Sequence, residues 1–329
     1  MVIYYFENVS YAYSSWQGLF KEIVEYYKKE YGAEVIRKTN YPGPGGITMY
    51  IEEFDYEMAD CELLIYDKEN DILKGISYSE HYTKIWEDVF VKRNNKNDLL
   101  LITQFYNWFN KVIETGKDNM NLSDYNFTVS QTVFYPVQDN STNDIINPDR
   151  INLEDIYTKR KNIPSSDLED KLFMLYTTQR FDPVKLSELG YLNKDLTPKR
   201  MGTYFEELIK HKIGLAIGTT AEYSYREMEY MAIGVPFLRV EYMTQLNPPL
   251  IPNYHYIAID RAKYNLPYNN GLDRLGGENY IKAYIDRFLE VKEDAEFLNY
   301  IAKNARQYYL DYCSPENRLS HGLKLLHIK

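Results

Sequence analysis

Cysteine is scarce in this sequence. Its two residues, Cys61 and Cys313, lie far apart and form no Cys-x-x-Cys pair, and a reducing cytoplasm is the expected setting. Histidine is nearly as scarce, with five scattered residues and no close Cys/His cluster, so no metal site is expected. No apolar run reaches the roughly 18 residues that a transmembrane helix needs, and none is expected. The opening stretch, "MVIYYFENVSYAY", has no basic leader and no small-residue cleavage site; it reads as a first strand, not a signal peptide. Without a secretory signal, the sequons at Asn8, Asn121, Asn126 and Asn140 are read as chance. A basic footprint is missing too. The net charge is -10, and the densest basic run, "YTKRKN" at 157–162, is short, flanked by acids and read as a solvated loop. General nucleic-acid binding is therefore not expected.

What is present suits an ordinary folded enzyme or binding protein. The chain has 329 residues, 44% of them hydrophobic, which is comfortable for two domains that each bury a core. Its 34 tyrosines are mostly packing material, although their flat faces and polar tips also suit sugars. The order of elements is regular. "VIYYFEN" (2–8), the helical spacing of "LFKEIVEYYKKEYG" (19–32) and "AEVIRK" (33–38) make a β-α-β unit. Residues 62–81 read as two strands around a Lys-Glu-Asn-Asp turn, and 98–105 and 127–137 as further strands.

The segment 138–170 is polar, carries Pro148 and Pro164, and is taken as the inter-domain connection. Strand-helix alternation then resumes, with strands at 171–179, 213–219, 236–242 and 254–260, a helix near 198–211, and a helical tail. The expected fold class is α/β, with two Rossmann-like doubly wound sheets. Domains are placed at 1–165 and 166–329, and the last helices are expected to pack back on the first domain.

One stretch concentrates the chemistry: "GLAIGTTAEYSYREMEYMAIGVPFLRV" at 214–240. Ser224 and Glu227 have capping-box spacing, which starts a helix at Ser224 and gives Glu227 a structural role. Tyr225, Met228, Met231 and Ala232 form the buried stripe of that helix, and Arg226 and Glu229 share the other face. Both charges sit near a helix N-terminus that follows a strand's carboxyl end, where open α/β sheets bind ligands. An arginine beside free backbone N–H groups suits a diphosphate. A carboxylate one turn along suits the vicinal hydroxyls of a ribose. The bland alternative is a weak surface ion pair, worth about 0.2–0.5 kcal/mol.

The same stretch, extended back to "YFEELIKHKI", resembles the donor-binding region of nucleotide-sugar glycosyltransferases of the two-domain GT-B fold, in which two domains face a central cleft. It follows the exostosin-like pattern at Gly218, Ser224, Arg226, Glu229, Gly234 and Pro236. The resemblance implies that Arg226 contacts the diphosphate of the donor and Glu229 its ribose. Retaining members carry two glutamates with seven residues between them; here Ala221 stands at the earlier position and Glu222 is one residue off, so inverting transfer is expected. No Asp-x-Asp motif is present, which disfavours the metal-dependent single-domain transferases.

Around this pair, Arg180 could balance a departing diphosphate, and Thr219 and Thr220 could donate to a phosphate. Ser224 and Tyr225 complete the donor side, and Gln17 and Gly18 are expected in a loop before the first helix, facing the same cleft. Inverting transfer needs a base from the first half. Glu80 and His81 at the end of a strand are candidates, with Asp55, Glu52 and Glu53 as rivals. The expected activity is glycosyl transfer from a UDP- or GDP-sugar to a hydroxyl of a glycan, a protein or another acceptor, with no cofactor or metal. Acidic charge makes a DNA base the less favoured acceptor. A nucleotide-sugar epimerase and a non-catalytic sugar- or nucleotide-binding protein are the alternatives.

Overall fold

The computed structural model describes residues 1–8, 15–40, 49–51, 56–58, 62–78, 99–103, 126–129, 152–174, 181–193, 201–217, 225–242, 248–266 and 277–325. The chain is mixed α/β and divides into two compact units, Met1–Pro136 with Pro315–Lys329, and Val137–Ser314.

In the first unit, β1 (Val2–Asn8), α1 (Ser15–Tyr31) and β2 (Glu34–Asn40) form the β-α-β unit, with β1 and β2 parallel. Ile23, Val24 and Tyr27 give α1 its apolar face. They bury against Ile3 and Tyr5 of β1 and against Leu63 and Ile65. A two-stranded antiparallel sheet pairs β3 (Met49–Ile51) with β4 (Tyr56–Met58). The main sheet has the order β2-β1-β5-β6-β7-β8, its later strands being β5 (Glu62–Asp67), β6 (Ile72–Tyr78), β7 (Leu99–Thr103) and β8 (Asn126–Val129).

The order turns back at β1, but the sheet is not the parallel one that the β-α-β opening suggests: β5 runs antiparallel to both β1 and β6. The cause is local. Lys68–Asp71 is too short for a crossover and long enough for a hairpin. Asp67 Oδ1 accepts from the N–H groups of Glu69 and Asn70, and Asp71 takes φ 53°.

The second unit opens earlier than the polar composition of 138–170 suggests. Helix α2 (Leu153–Lys161) begins at an Asn152 cap whose side chain accepts from the N–H groups of Glu154 and Asp155. The basic run at 157–162 is therefore the last turn of a helix and not a loop, with cations where the helix dipole favours them. A 3-10 turn at Ser165–Asp167 leads to β9 (Glu169–Phe173). There follow α3 (Phe181–Glu188), α4 (Met201–Leu208), β10 (His211–Leu215), α5 (Tyr225–Ala232), β11 (Phe237–Val240) and β12 (Ile257–Ile259). Two long helices, α6 (Glu278–Val291) and α7 (Ala295–Tyr308), come next. A π-turn at Tyr309–Cys313 precedes α8 (Pro315–Leu325), which belongs to the first unit.

The sheet of this unit is parallel throughout, in the order β12-β11-β10-β9. A parallel bridge adds Leu192 on the far side of β9, closed by Leu172 N–H to Tyr191 O at 2.9 Å and Asn193 N–H to Leu172 O at 3.0 Å. Counted along the chain, the spatial order is 2-1-3-4-5, so direction reverses between β9 and β10.

Side chains alternate between the faces. Leu172, Ile213, Leu215, Leu238, Val240, Ile257 and Ile259 point to the face covered by α6 and by Leu298 and Ile301 of α7. Gly214, Phe237 and Arg239 lie on the opposite face, where Tyr230 of α5 covers Gly214 and packs on the Phe237 ring. Both faces are covered, as a parallel sheet requires.

Two glycines set the position of α5. A Cβ on Gly214 would lie 2.8 Å from the Tyr230 ring, so the bare backbone of β10 admits that ring. At the other end, Gly234 takes φ 67°, and the N–H groups of Gly234 and Val235 bond the carbonyls of Met231 and Tyr230, a Schellman cap. Pro236 then stops any continuation.

Gly234→Ala carries two penalties, the left-handed backbone and a Cβ 2.9 Å from the Tyr157 ring, whereas Gly190 (φ 82°) has nothing within 4 Å of its Cβ position. Gly190→Ala should destabilise by about 1 kcal/mol and Gly234→Ala by about 2–4 kcal/mol, read from urea midpoints. Equal losses would show that Tyr157 gives way freely.

Candidate functional site

The strand order reverses between β9 and β10, and the crevice beyond the carboxyl ends of the strands at such a point is where an open α/β sheet takes ligand. The sequence-predicted Arg180 follows β9. Thr219, Thr220 and Ser224 follow β10, and all four lie outside the described residues. His81, Glu80 and Asp55, and their rivals Glu52 and Glu53, lie outside them as well. Gly18 does not stand in a loop. With Gln17 it lies in the first turn of α1, which starts at Ser15, four residues before the apolar spacing begins at Leu19.

Helix α5 carries Tyr225 as its first residue and holds Arg226 and Glu229 one turn apart. The expectation of a buried stripe with both charges on the open face needs correcting. Met228, Met231 and Ala232 are buried as expected, but so are Glu227 at 0% and Glu229 at 7% exposure. Arg226 is half-buried. The helix is enclosed because α7 and the π-turn after it pack against it as well as the sheet, and α4 reaches Glu229 through Tyr204. Buried carboxylates need partners, and each has one.

Glu227 Oε1 accepts from Arg239 Nη1 at 2.5 Å, and the Arg239 guanidinium lies 3.7 Å from the centre of the Tyr242 ring. This pair ties the first turn of α5 to the middle of β11. The Tyr230 hydroxyl lies 3.2 Å from the Phe173 carbonyl and 3.0 Å from the Leu215 carbonyl, bridging the carboxyl ends of β9 and β10.

Glu229 is held differently. The Tyr204 hydroxyl of α4 donates to its Oε2 at 2.6 Å, and no other described side chain bonds that carboxyl. Burial is the largest influence on its acidity and pushes its pKa up to about 7; the Tyr204 hydrogen bond and the charge of Arg226 pull it down, and Glu227 pushes it up. Tyr204 itself stays protonated, because burial and the adjacent carboxylate raise its pKa.

At the far end of α5, Arg306 donates to the Ala232 carbonyl and to Glu154, with its guanidinium 4.6 Å from the centre of the Tyr157 ring. Beside the loop after β9, buried Asp182 accepts from Gly277 N–H at 3.1 Å, which joins the starts of α3 and α6. Among the described residues, no group of three or more His, Cys, Asp or Glu side chains could hold a metal ion, and no helix is long and apolar enough to cross a membrane.

Sequence reasoning missed Tyr204, Tyr230, Arg239 and Asp182. One signal was available for Arg239: a cation inside the apolar strand "FLRV" is buried and must have a partner. Tyr204 gave no such signal, because it lies 25 residues from Glu229 on another helix.

Among solved structures, the chain is similar to a glycosyltransferase from Rickettsia africae ESF-5, at 10% identity and a TM-score of 0.41, over 76% of this chain and 69% of that one. A likeness of that degree decides neither fold nor activity. No protein-family profile matches the chain, and no curated protein does.

Two consequences follow from the buried charges. Glu227→Ala leaves the Arg239 guanidinium buried without its carboxylate, and should destabilise by about 3–5 kcal/mol in urea titrations. The second concerns pH. Between the ordinary 4.5 and about 7, the folded chain keeps a proton on Glu229 that the unfolded chain has released. Stability from this group therefore falls as pH rises through that window. Glu229→Gln should be more stable than wild type at pH 8 by about 2–3 kcal/mol and converge with it below pH 4.5. His255, held near 4 by burial, titrates alike in both proteins and cancels from the difference. A constant difference across pH would mean that Glu229 does not titrate in this range.

Proposed function

We propose that this protein is a glycosyltransferase that takes its sugar from a nucleoside-diphosphate donor, and that Arg226 and Glu229 hold that donor. The observation that carries the reading is a juxtaposition. At the point where the strand order reverses, the first turns of α5 present a half-buried arginine beside a buried carboxylate. The position of the helix is fixed by other contacts, those of Glu227, Tyr230 and the Schellman cap. A buried carboxylate with a raised pKa and a single described partner is a costly group for a purely structural role, and such groups concentrate at functional sites.

The chemistry is complementary at both ends of a nucleotide. The Arg226 guanidinium and the N-terminal N–H groups of α5 suit the diphosphate, with Arg180, Thr219, Thr220 and Ser224 contributing from before α3 and α5 and Tyr225 from the first position of α5. The Glu229 carboxylate suits the ribose hydroxyls. Transfer is inverting and metal-independent on this reading. The cations stabilise the departing diphosphate, and a base among His81, Glu80 and Asp55 takes the proton of the acceptor hydroxyl. Gly18 is not retained as a donor contact.

Thermal melts with saturating UDP, GDP and CMP, and with their common sugar conjugates, test the donor site. One nucleotide should raise the midpoint of wild type, by an amount that grows with RT ln(1 + [L]/Kd), and Arg226→Ala should lose most of that rise. No rise with any of them, in a folded protein, would remove the donor reading. Donor consumption without an acceptor would redirect it to an epimerase.

A further inference from the structure

Resting on that reading, we propose that Tyr204 is a positioning residue that sets Glu229 to select a ligand carrying a vicinal diol, so that a ribonucleotide is preferred to its 2′-deoxy counterpart. The geometry argues for it in three steps. First, Tyr204 is itself fixed: it is buried, and its ring packs 5.9 Å from Phe173 and 5.0 Å from Phe205, centre to centre. Its hydroxyl therefore points to one place. Second, that place is Glu229 Oε2, at 2.6 Å, a short charge-assisted contact that locks the carboxylate plane.

Third, the bond occupies one lone pair of one oxygen. Oε1 and the second lone pair of Oε2 are left as acceptors, and a diol offers two O–H donors in a matching fork. A ligand with one hydroxyl fills half of that fork and leaves part of a buried carboxylate unsatisfied, which is the arrangement that discriminates most strongly between such ligands.

The charged state depends on the same bond. Among the described residues, Arg226, Glu227 and Tyr230 on α5 and Tyr204 on α4 are the titratable groups that bear on Glu229. Tyr204 and Arg226 favour the carboxylate, against burial and Glu227. Removing the hydroxyl raises the Glu229 pKa further, so diol binding is lost at a higher pH than in wild type.

The test compares wild type, Tyr204→Phe and Arg226→Ala in calorimetric titrations with UDP, dUDP, GDP and dGDP. Tyr204→Phe keeps the ring in its packing. It should bind the ribonucleotide about ten- to a hundredfold more weakly, leave the deoxynucleotide within about twofold, and move the acid limb of binding to higher pH. Compared at pH 9, where Glu229 is ionised in every variant, Arg226→Ala should weaken both nucleotides alike. Should the phenylalanine variant lose its fold, 2,3-difluorotyrosine at 204, a stronger donor of the same shape, should move the acid limb to lower pH instead.

Equal weakening of both nucleotides by Tyr204→Phe, or an unchanged acid limb, overturns the positioning role while leaving the donor site standing. Wild type that binds none of the four nucleotides overturns both.

Discussion

The second unit is organised by the need to lay one short helix flat on the open face of a parallel sheet while three of its first five residues carry charge. The Glu227–Arg239 pair makes that possible. A guanidinium in the middle of β11 is untenable in an apolar layer unless a carboxylate reaches it and a π-face covers it, and Glu227 and Tyr242 supply both. Such a pair adds little net stability over a hydrophobic substitute, but removing one partner strands the other. Its value lies in register. With Glu227 locked to β11, the neighbouring residues have fixed azimuths: Tyr230 lies on Gly214, and Glu229 meets Tyr204 of α4. The Schellman cap at Gly234 and the Arg306 contact with the Ala232 carbonyl fix the other end.

Much of this architecture was legible in the sequence, because hydrophobic periodicity reports burial directly. The strands of the parallel sheet read as short apolar runs, α1 showed its face at Ile23, Val24 and Tyr27, and Gly234-Val235-Pro236 announced a helix end. Two readings failed for physical reasons. The segment around α2 is polar because only Leu153 and Ile156 of that helix are buried, so composition resembled a linker; the Asn152 cap followed by two acids, and the basic last turn, were the better evidence. The hairpin at Lys68–Asp71 was seen, but its consequence, an antiparallel strand in the middle of the first sheet, depends on pairing partners far apart in the chain.

The candidate site was legible only in its sequence positions. Arg226 and Glu229 stood out through spacing and resemblance, but spacing assigned them a solvent-facing side. Periodicity detects apolar stripes and reads every polar residue as outward. It cannot register other elements that pack against the polar face, and here α7 and the π-turn pack on α5 while Tyr204 of α4 reaches Glu229. Tyr204 was invisible for the same reason, since tyrosine is abundant and its hydroxyl becomes informative only once a carboxylate is found beside it.

The three charges of α5 thus have three different fates within one and a half turns, and the differences bear on function. Glu227 is neutralised by a dedicated partner. Arg226 is half-buried at the helix start. Glu229 sits between these extremes: buried, held by a neutral donor, and balanced near pH 7 between its two protonation states. A carboxyl in that balance responds to small changes. A ligand that brings two hydroxyl donors favours the carboxylate and is bound the more firmly for it, whereas one that brings none leaves the proton in place. Had Glu229 been paired with an arginine as Glu227 is, its charge would be fixed and indifferent to ligand. The tyrosine provides orientation without neutralisation, which is what the proposed recognition of a diol requires.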